Sequence, residues 1–263
     1  MEKQGEKQRM PALFVGHGSP MNAIEDNEFS LTWEKIAKEI PKPEAILSVS
    51  AHWYTDGTRV NDSEEPRMVY DMYGFPEELY QVQYPVKGAA KLARYTKELI
   101  EKDIKDVDID NWGIDHGTWS VLCRMYPEAD IPVFQLSIDR NAGAEEHFRI
   151  GQELSALREK GVMILGSGNV VHNLFQINWD MTGGFQWAVE FDDYIKTKII
   201  ARQVMDVVDY TLAGKIAKMA VPTPDHFYPL LYVLGAMKED DKLTIYNDKT
   251  TFGSISMTCY LFK

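Results

Sequence analysis

Short apolar runs rich in β-branched residues alternate with longer amphipathic segments along this chain, which restricts it to a layered α/β architecture. The runs ending at Gly16, Ala51, Ile138 and Gly166 read as strands buried on both faces, the mark of a parallel sheet. Helical patterns fall between them. They run from Leu31 to Ile40, stopped by Pro41 and Pro43, then from Gly88 to about Lys102, and through a segment ending before Pro127. Others run from Ala142 to Arg158, from Trp187 to about Arg202, and from Pro224 to Ala236. Further strands are expected at 107–109, 243–246 and 254–259. No repeat, linker or shift of composition divides the 263 residues. One domain over residues 10–263 is expected, after a disordered extension of residues 1–9.

Histidines mark the ends of these strands. His17 and His52 close two apolar runs, and His172 follows a third within Gly166-Ser167-Gly168-Asn169-Val170-Val171-His172. Ligands of open α/β sheets bind outside the carboxyl ends of the strands, and imidazole is the commonest transition-metal ligand. One such histidine is more often a satisfied core residue; several together read as a metal site. His226 joins them. Thr223 suits an N-cap and Pro224 the first helical position, which puts His226 in a first turn whose dipole disfavours imidazolium. Asp225 beside it either points elsewhere or accepts from the ring. His172 suits a metal ligand or a proton carrier equally. His116 lies in a loop among aromatics, where a substrate or acid–base role stands against a capping one. His147, on a charged helix face, reads as structural. The glycines around His17 and Ser167 complete neither a Walker nor a dinucleotide fingerprint, and Ser19 lacks the context of a nucleophile elbow.

With 28 basic and 40 acidic residues the net charge is −12, which argues against nucleic acid or an anionic membrane as partner. The two cysteines, Cys123 and Cys259, sit among apolar residues and read as reduced thiols of a cytoplasmic protein. The first nine residues lack the apolar core of a signal peptide. No apolar run approaches the roughly 18 residues that span a bilayer. Residues 55–87 are rich in proline and aromatics, either a substrate-covering loop or rings packed against the scaffold.

Five ordered motifs carry a resemblance: Gly16-His17-Gly18-Ser19-Pro20-Met21-Asn22, Ser50-Ala51-His52-Trp53, Asp115-His116-Gly117-Thr118-Trp119, Gly166 through Asn173, and Thr223-Pro224-Asp225-His226-Phe227. From Met10 onward the chain resembles the 4,5-DOPA extradiol dioxygenase family, one of the class III extradiol ring-cleaving dioxygenases. The resemblance implies a single α/β domain with a central, mostly parallel or mixed sheet and helices on both faces. It also implies a metal-dependent enzyme that inserts O₂ beside the diol of a catechol such as DOPA. By motif, His17, His52 and His226 would be metal ligands and His172 the acid–base group beside the metal. His116 would contact substrate or the oxygen intermediate, and Trp53, Tyr73, Phe75, Trp112 and Trp119 would line an aromatic pocket. Better known ring-cleaving relatives hold Fe(II) with two histidines and one carboxylate, whereas here His226 takes the carboxylate's place. An all-nitrogen set, closed by His172 as a fourth ligand, also suits Zn(II). The cofactor is therefore one divalent ion, Fe(II) or Zn(II). A zinc hydrolase and a non-catalytic metal-containing binding protein are the alternative readings.

Overall fold

The apolar runs become the middle of one mixed sheet. In the computed structural model, which describes residues 9–101 and 107–263, the strands are β1 (Ala12–Gly16), β2 (Ala45–Thr55), β3 (Arg59–Asn61), β4 (Asp108–Asp110) and β5 (Val133–Asp139). They continue as β6 (Val162–Gly168), β7 (Leu243–Tyr246), β8 (Thr250–Thr251), β9 (Ile255–Ser256) and β10 (Cys259–Phe262). Eight strands lie in the order β4-β3-β5-β2-β6-β1-β10-β7, and β8 pairs with β9 apart from them. The central four, β5, β2, β6 and β1, are parallel, while β10 and β7 close one edge antiparallel.

Nine helices cover the sheet among the described residues: α1 (Glu28–Glu39), α2 (Glu77–Tyr80), α3 (Ala90–Ile100), α4 (His116–Met125), α5 (Ala144–Arg158), α6 (Gln186–Ile200), α7 (Val204–Val208), α8 (Lys215–Ala220) and α9 (Tyr228–Ala236). Successive strand residues point to opposite faces. Ala12 and Phe14 of β1 therefore join a core with α3, α5, α6 and α9, while Leu13 and Val15 join a second core with α1 and α4. Burial on both faces explains why the central strands have no polar alternation. The expected α/β domain with a mixed sheet between two helical layers is what forms.

Local chemistry moves some boundaries. α1 starts at Glu28, earlier than the apolar periodicity suggested, because the Asn27 side chain caps the backbone N–H of Phe29 and Ser30 in a capping box. The helix expected to open at Pro224 instead opens at Tyr228. The N–H groups of Phe227 and Tyr228 both donate to the Pro224 carbonyl, at 3.0 and 2.9 Å, so residues 224–227 form a turn ahead of the helix. His116, expected in a loop, is the first residue of α4. Of the expected disordered extension, residues 1–8 lie outside the described residues; Arg9 is ion-paired to Asp240 and Asp241 at 2.8 and 3.0 Å. Cys123 and Cys259 are unpaired, and no helix among the described residues is long and apolar enough to cross a membrane.

Candidate metal centre

Five histidines converge beyond the carboxyl ends of the parallel strands, each delivered by a different device. His17 directly follows β1. His52 lies inside β2, at an irregularity rather than at a strand end. Pairing with β5 jumps from Val49–Leu136 to Tyr54–Ile138, so residues 50–53 leave the ladder with β5, as bulges do when they re-aim a side chain. His116 rides on the start of α4. That helix end is fixed by Asp115, whose carboxylate caps the Thr118 N–H at 3.1 Å and accepts from Ser50 of β2 and Gln135 of β5. Gly117 then lets α4 approach the bulge: a Cβ there would stand 2.6 Å from Ser50 Oγ and 2.8 Å from His52 Cδ2. His226 is drawn to the end of β6, where its carbonyl accepts from the Asn169 N–H at 2.9 Å. Gly168 makes room for that carbonyl, which would lie 2.2 Å from a Cβ. His172 follows β6 by four residues and stacks on His226, ring centroids 3.5 Å apart and planes within 5°.

Hydrogen bonds decide which ring nitrogens face inward. Ser167 Oγ donates to the Gly117 carbonyl at 2.6 Å, so at 3.0 Å it accepts from Nδ1–H of His17. His52 Nδ1 donates to Asp71 Oδ2 at 3.0 Å, and His116 Nδ1 donates to Asp71 Oδ1 at 2.9 Å. His226 Nδ1 donates to Asp225 Oδ2 at 2.5 Å. Four imidazoles are thus anchored through Nδ1 and left with Nε2 to offer a ligand. Among the described residues nothing hydrogen-bonds a ring nitrogen of His172.

Burial is the leading influence on all five rings. It pushes His17 and His172 well below the usual histidine range, helped by neighbouring imidazoles. His116 and His226 are also lowered by burial, against the pull of Asp71 and Asp225. At His52, burial is outweighed by the hydrogen bond and charge of Asp71, which leave the pKa raised. Asp71 and Asp225 are themselves held far below the carboxylate range: their histidine partners overcome the cost of burial. Neutral imidazoles beside ionised carboxylates are the form that binds a cation.

The donor set fits a divalent metal. His17 Nε2 and His52 Nε2 are 3.2 Å apart, and ligand nitrogens about 2.0–2.1 Å from a tetrahedral ion stand about 3.3 Å from each other. His17, His52 and His116 bring ring nitrogens within 4.8 Å of one another. Ring centres add a second criterion, because three imidazoles on one tetrahedral ion space their centroids about 5.2 Å apart. The separations are 5.1 Å for His17–His52, 5.3 Å for His17–His226 and 5.1 Å for His52–His226. His116 departs from that spacing, at 3.8 Å from His52 and 6.1 Å from His17.

A cavity of about 420 Å³ opens over the cluster, within the range of small-molecule sites. Tyr73 and Phe75 line it with Leu174, Ile177, Trp179 and Phe252. Trp53, Trp112 and Trp119, expected on that wall, do not line it. Trp53 is buried against Trp112, rings stacked at 6.2 Å, and Trp119 is fully buried with its Nε1–H on the Val69 carbonyl. Asp71, Trp179 and Phe252 were not expected at the site, since nothing in the periodicity of a loop says which side chain turns inward.

Residues 11–263 match the family model described as the catalytic LigB subunit of aromatic ring-opening dioxygenase. The chain belongs to this family. Members similar to it include a protein of Escherichia coli K12 named 4,5-DOPA dioxygenase extradiol, 44% identical over 95% of this chain and 93% of its own. A Beta vulgaris protein of the same name is 38% identical over 95% of both chains. The crystal structure of an uncharacterized Escherichia coli K12 protein superposes with a TM-score of 0.84 at 41% identity, covering 97% of this chain and all of that one. This family member is thus an enzyme of the aromatic ring-opening dioxygenase class, and its five histidines face one cavity.

Proposed function

We propose that residues 10–263 form one catalytic domain, an Fe(II)-dependent extradiol dioxygenase that opens a catechol such as DOPA. The observation that carries this reading is the near-equilateral spacing of His17, His52 and His226, each anchored through Nδ1 and facing a cavity of catechol size. These three would hold the metal. When bound, Fe(II) supplies the redox chemistry that insertion of O₂ requires and that Zn(II) lacks.

The chain's own residues account for the proton and the substrate. His172 is half-buried at the cavity, bound at neither nitrogen among the described residues, and neutral at ordinary pH because burial and His226 depress its basicity. It accepts the proton of a catechol hydroxyl and returns it on ring opening. His116, locked at Nδ1 by Asp71, offers Nε2 to hold a substrate hydroxyl. The apolar wall of Tyr73, Phe75, Leu174, Ile177, Trp179 and Phe252 excludes water around the ring. Two unpaired cysteines support a cytoplasmic setting, and the acidic net charge supports small molecules rather than nucleic acid as partners.

The test is to load the purified protein anaerobically with Fe(II), add L-DOPA and air, and follow O₂ uptake with the yellow ring-opened product. Stoichiometric uptake that disappears with Zn(II) in place of Fe(II) is expected. No uptake with L-DOPA or simpler catechols at full iron loading overturns the proposal.

A further inference from the structure

Asp71 belongs to neither the metal cluster nor any motif that identifies the family, yet one carboxylate of this loop residue accepts three N–H groups. They are His52 Nδ1 at 3.0 Å, His116 Nδ1 at 2.9 Å and the backbone N–H of His116 at 3.0 Å. The loop is fixed on both sides of it. Upstream, the Val69 N–H bonds the Ile114 carbonyl, the Ile114 N–H bonds the Arg67 carbonyl, and Trp119 Nε1 donates to the Val69 carbonyl. Downstream, Met72, Tyr73 and Phe75 form part of the cavity wall.

We infer that Asp71 is a positioning residue: it dictates the tautomer of His52, so that Nε2 carries a lone pair toward the metal, while the same carboxylate orients His116. The inference rests on His52 being a ligand. Its force comes from the third contact. The backbone N–H of His116 cannot change sign, so whatever occupies position 71 must keep an acceptor at Oδ1. An asparagine there would place its oxygen on His116 and its NH₂ on His52. Nδ1 of His52 would then have to accept, and the ring proton would move to Nε2, where it blocks coordination. A side chain with no polar group imposes no such reversal.

This yields an order of effects opposite to that of a merely structural residue. Asp71→Asn, nearly isosteric, should weaken Co(II) binding about 10- to 100-fold, the range seen when a partner of a ligating histidine is lost. Asp71→Ala, which removes more contacts, should weaken it less. The measurement is Co(II) affinity by chelator competition, read from the visible absorption of the bound ion, with thermal unfolding midpoints for each variant and His52→Ala as control. Asn weaker than Ala, with the Asn variant unfolding within a few degrees of the parent, supports the inference. Ala weaker than Asn, or Asn equal to the parent, overturns it and leaves His52 as a ligand provided that His52→Ala loses Co(II). Unchanged binding in His52→Ala removes the ligand assignment and the inference together.

Discussion

Ser167 shows how much one buried hydroxyl can decide. Its proton goes to the Gly117 carbonyl, so its oxygen is left to receive Nδ1–H of His17, and Nε2 of that ring is left to face the proposed metal position. Ser167→Ala is expected to release His17 without removing it, lowering metal affinity about tenfold in a chelator titration. Removal of a whole ring separates the two proposed roles. His17→Ala should lose the metal. His172→Ala should keep most of it while kcat on catechol falls roughly 10²- to 10⁴-fold, the usual share of a general acid–base group. Metal content by elemental analysis beside O₂-uptake kinetics measures both. Loss of metal in His172→Ala would make that ring a fourth ligand instead.

At the scale of elements, the site depends on contacts between segments distant in sequence, such as that between the bulge of β2 and the start of α4. Gly117→Ala drives a methyl into the buried Ser50 and the half-buried His52 of that junction. It is expected to cost about 1–3 kcal/mol in urea unfolding, as overpacked sites do, and to weaken metal binding as well. Unchanged stability would mean that α4 has room to retreat. These junctions also mark where sequence reasoning stops. Strands such as Val162–Gly168 are legible because burial on both faces leaves a continuous apolar run. His17 and His52 are legible because such runs end in them. The helix start before His226 was misread since Thr223-Pro224 satisfies the local rules for an N-cap, whereas the chain spends that turn reaching Asn169. Trp53 and Trp119 were misplaced because an aromatic side chain suits a core and a pocket equally well. Asp71 left no trace, as a loop has no period from which a facing direction follows.

At the scale of the whole molecule, two buried titrating groups outside the cavity, His147 and Asp192, oppose each other. His147 is fully buried, hydrogen-bonded to the Tyr232 hydroxyl at 2.9 Å, and desolvation lowers its pKa from 6.5 to about 4. The unfolded chain therefore takes up a proton first, and stability is lost as pH falls from 6.5 through 4, by about 3 kcal/mol in full. Asp192, buried between Ser256 and Thr258, has its pKa raised by desolvation from 3.8 to about 6. Here the folded chain takes up the proton first, and stability rises by about 3 kcal/mol as pH falls from 6 through 3.8. Their sum should leave the parent protein nearly flat in this window with respect to these two groups. Urea unfolding at pH 4, 5, 6 and 7 should show His147→Gln gaining stability relative to the parent toward acid and Asp192→Asn losing it. Parallel curves for all three would refute both shifts.

The stacking of His172 on His226 restricts redesign of the centre. Converting the donors to two histidines and a carboxylate, by His226→Glu, would change more than the charge around the ion. The same edit removes the flat surface on which His172 lies at 3.5 Å, so the proposed proton carrier would lose its seat as the donor set changed. If His226 holds the metal and His172 moves the proton, as proposed, ion preference and proton transfer are tied through one stacked pair of rings, and retuning one would disturb the other.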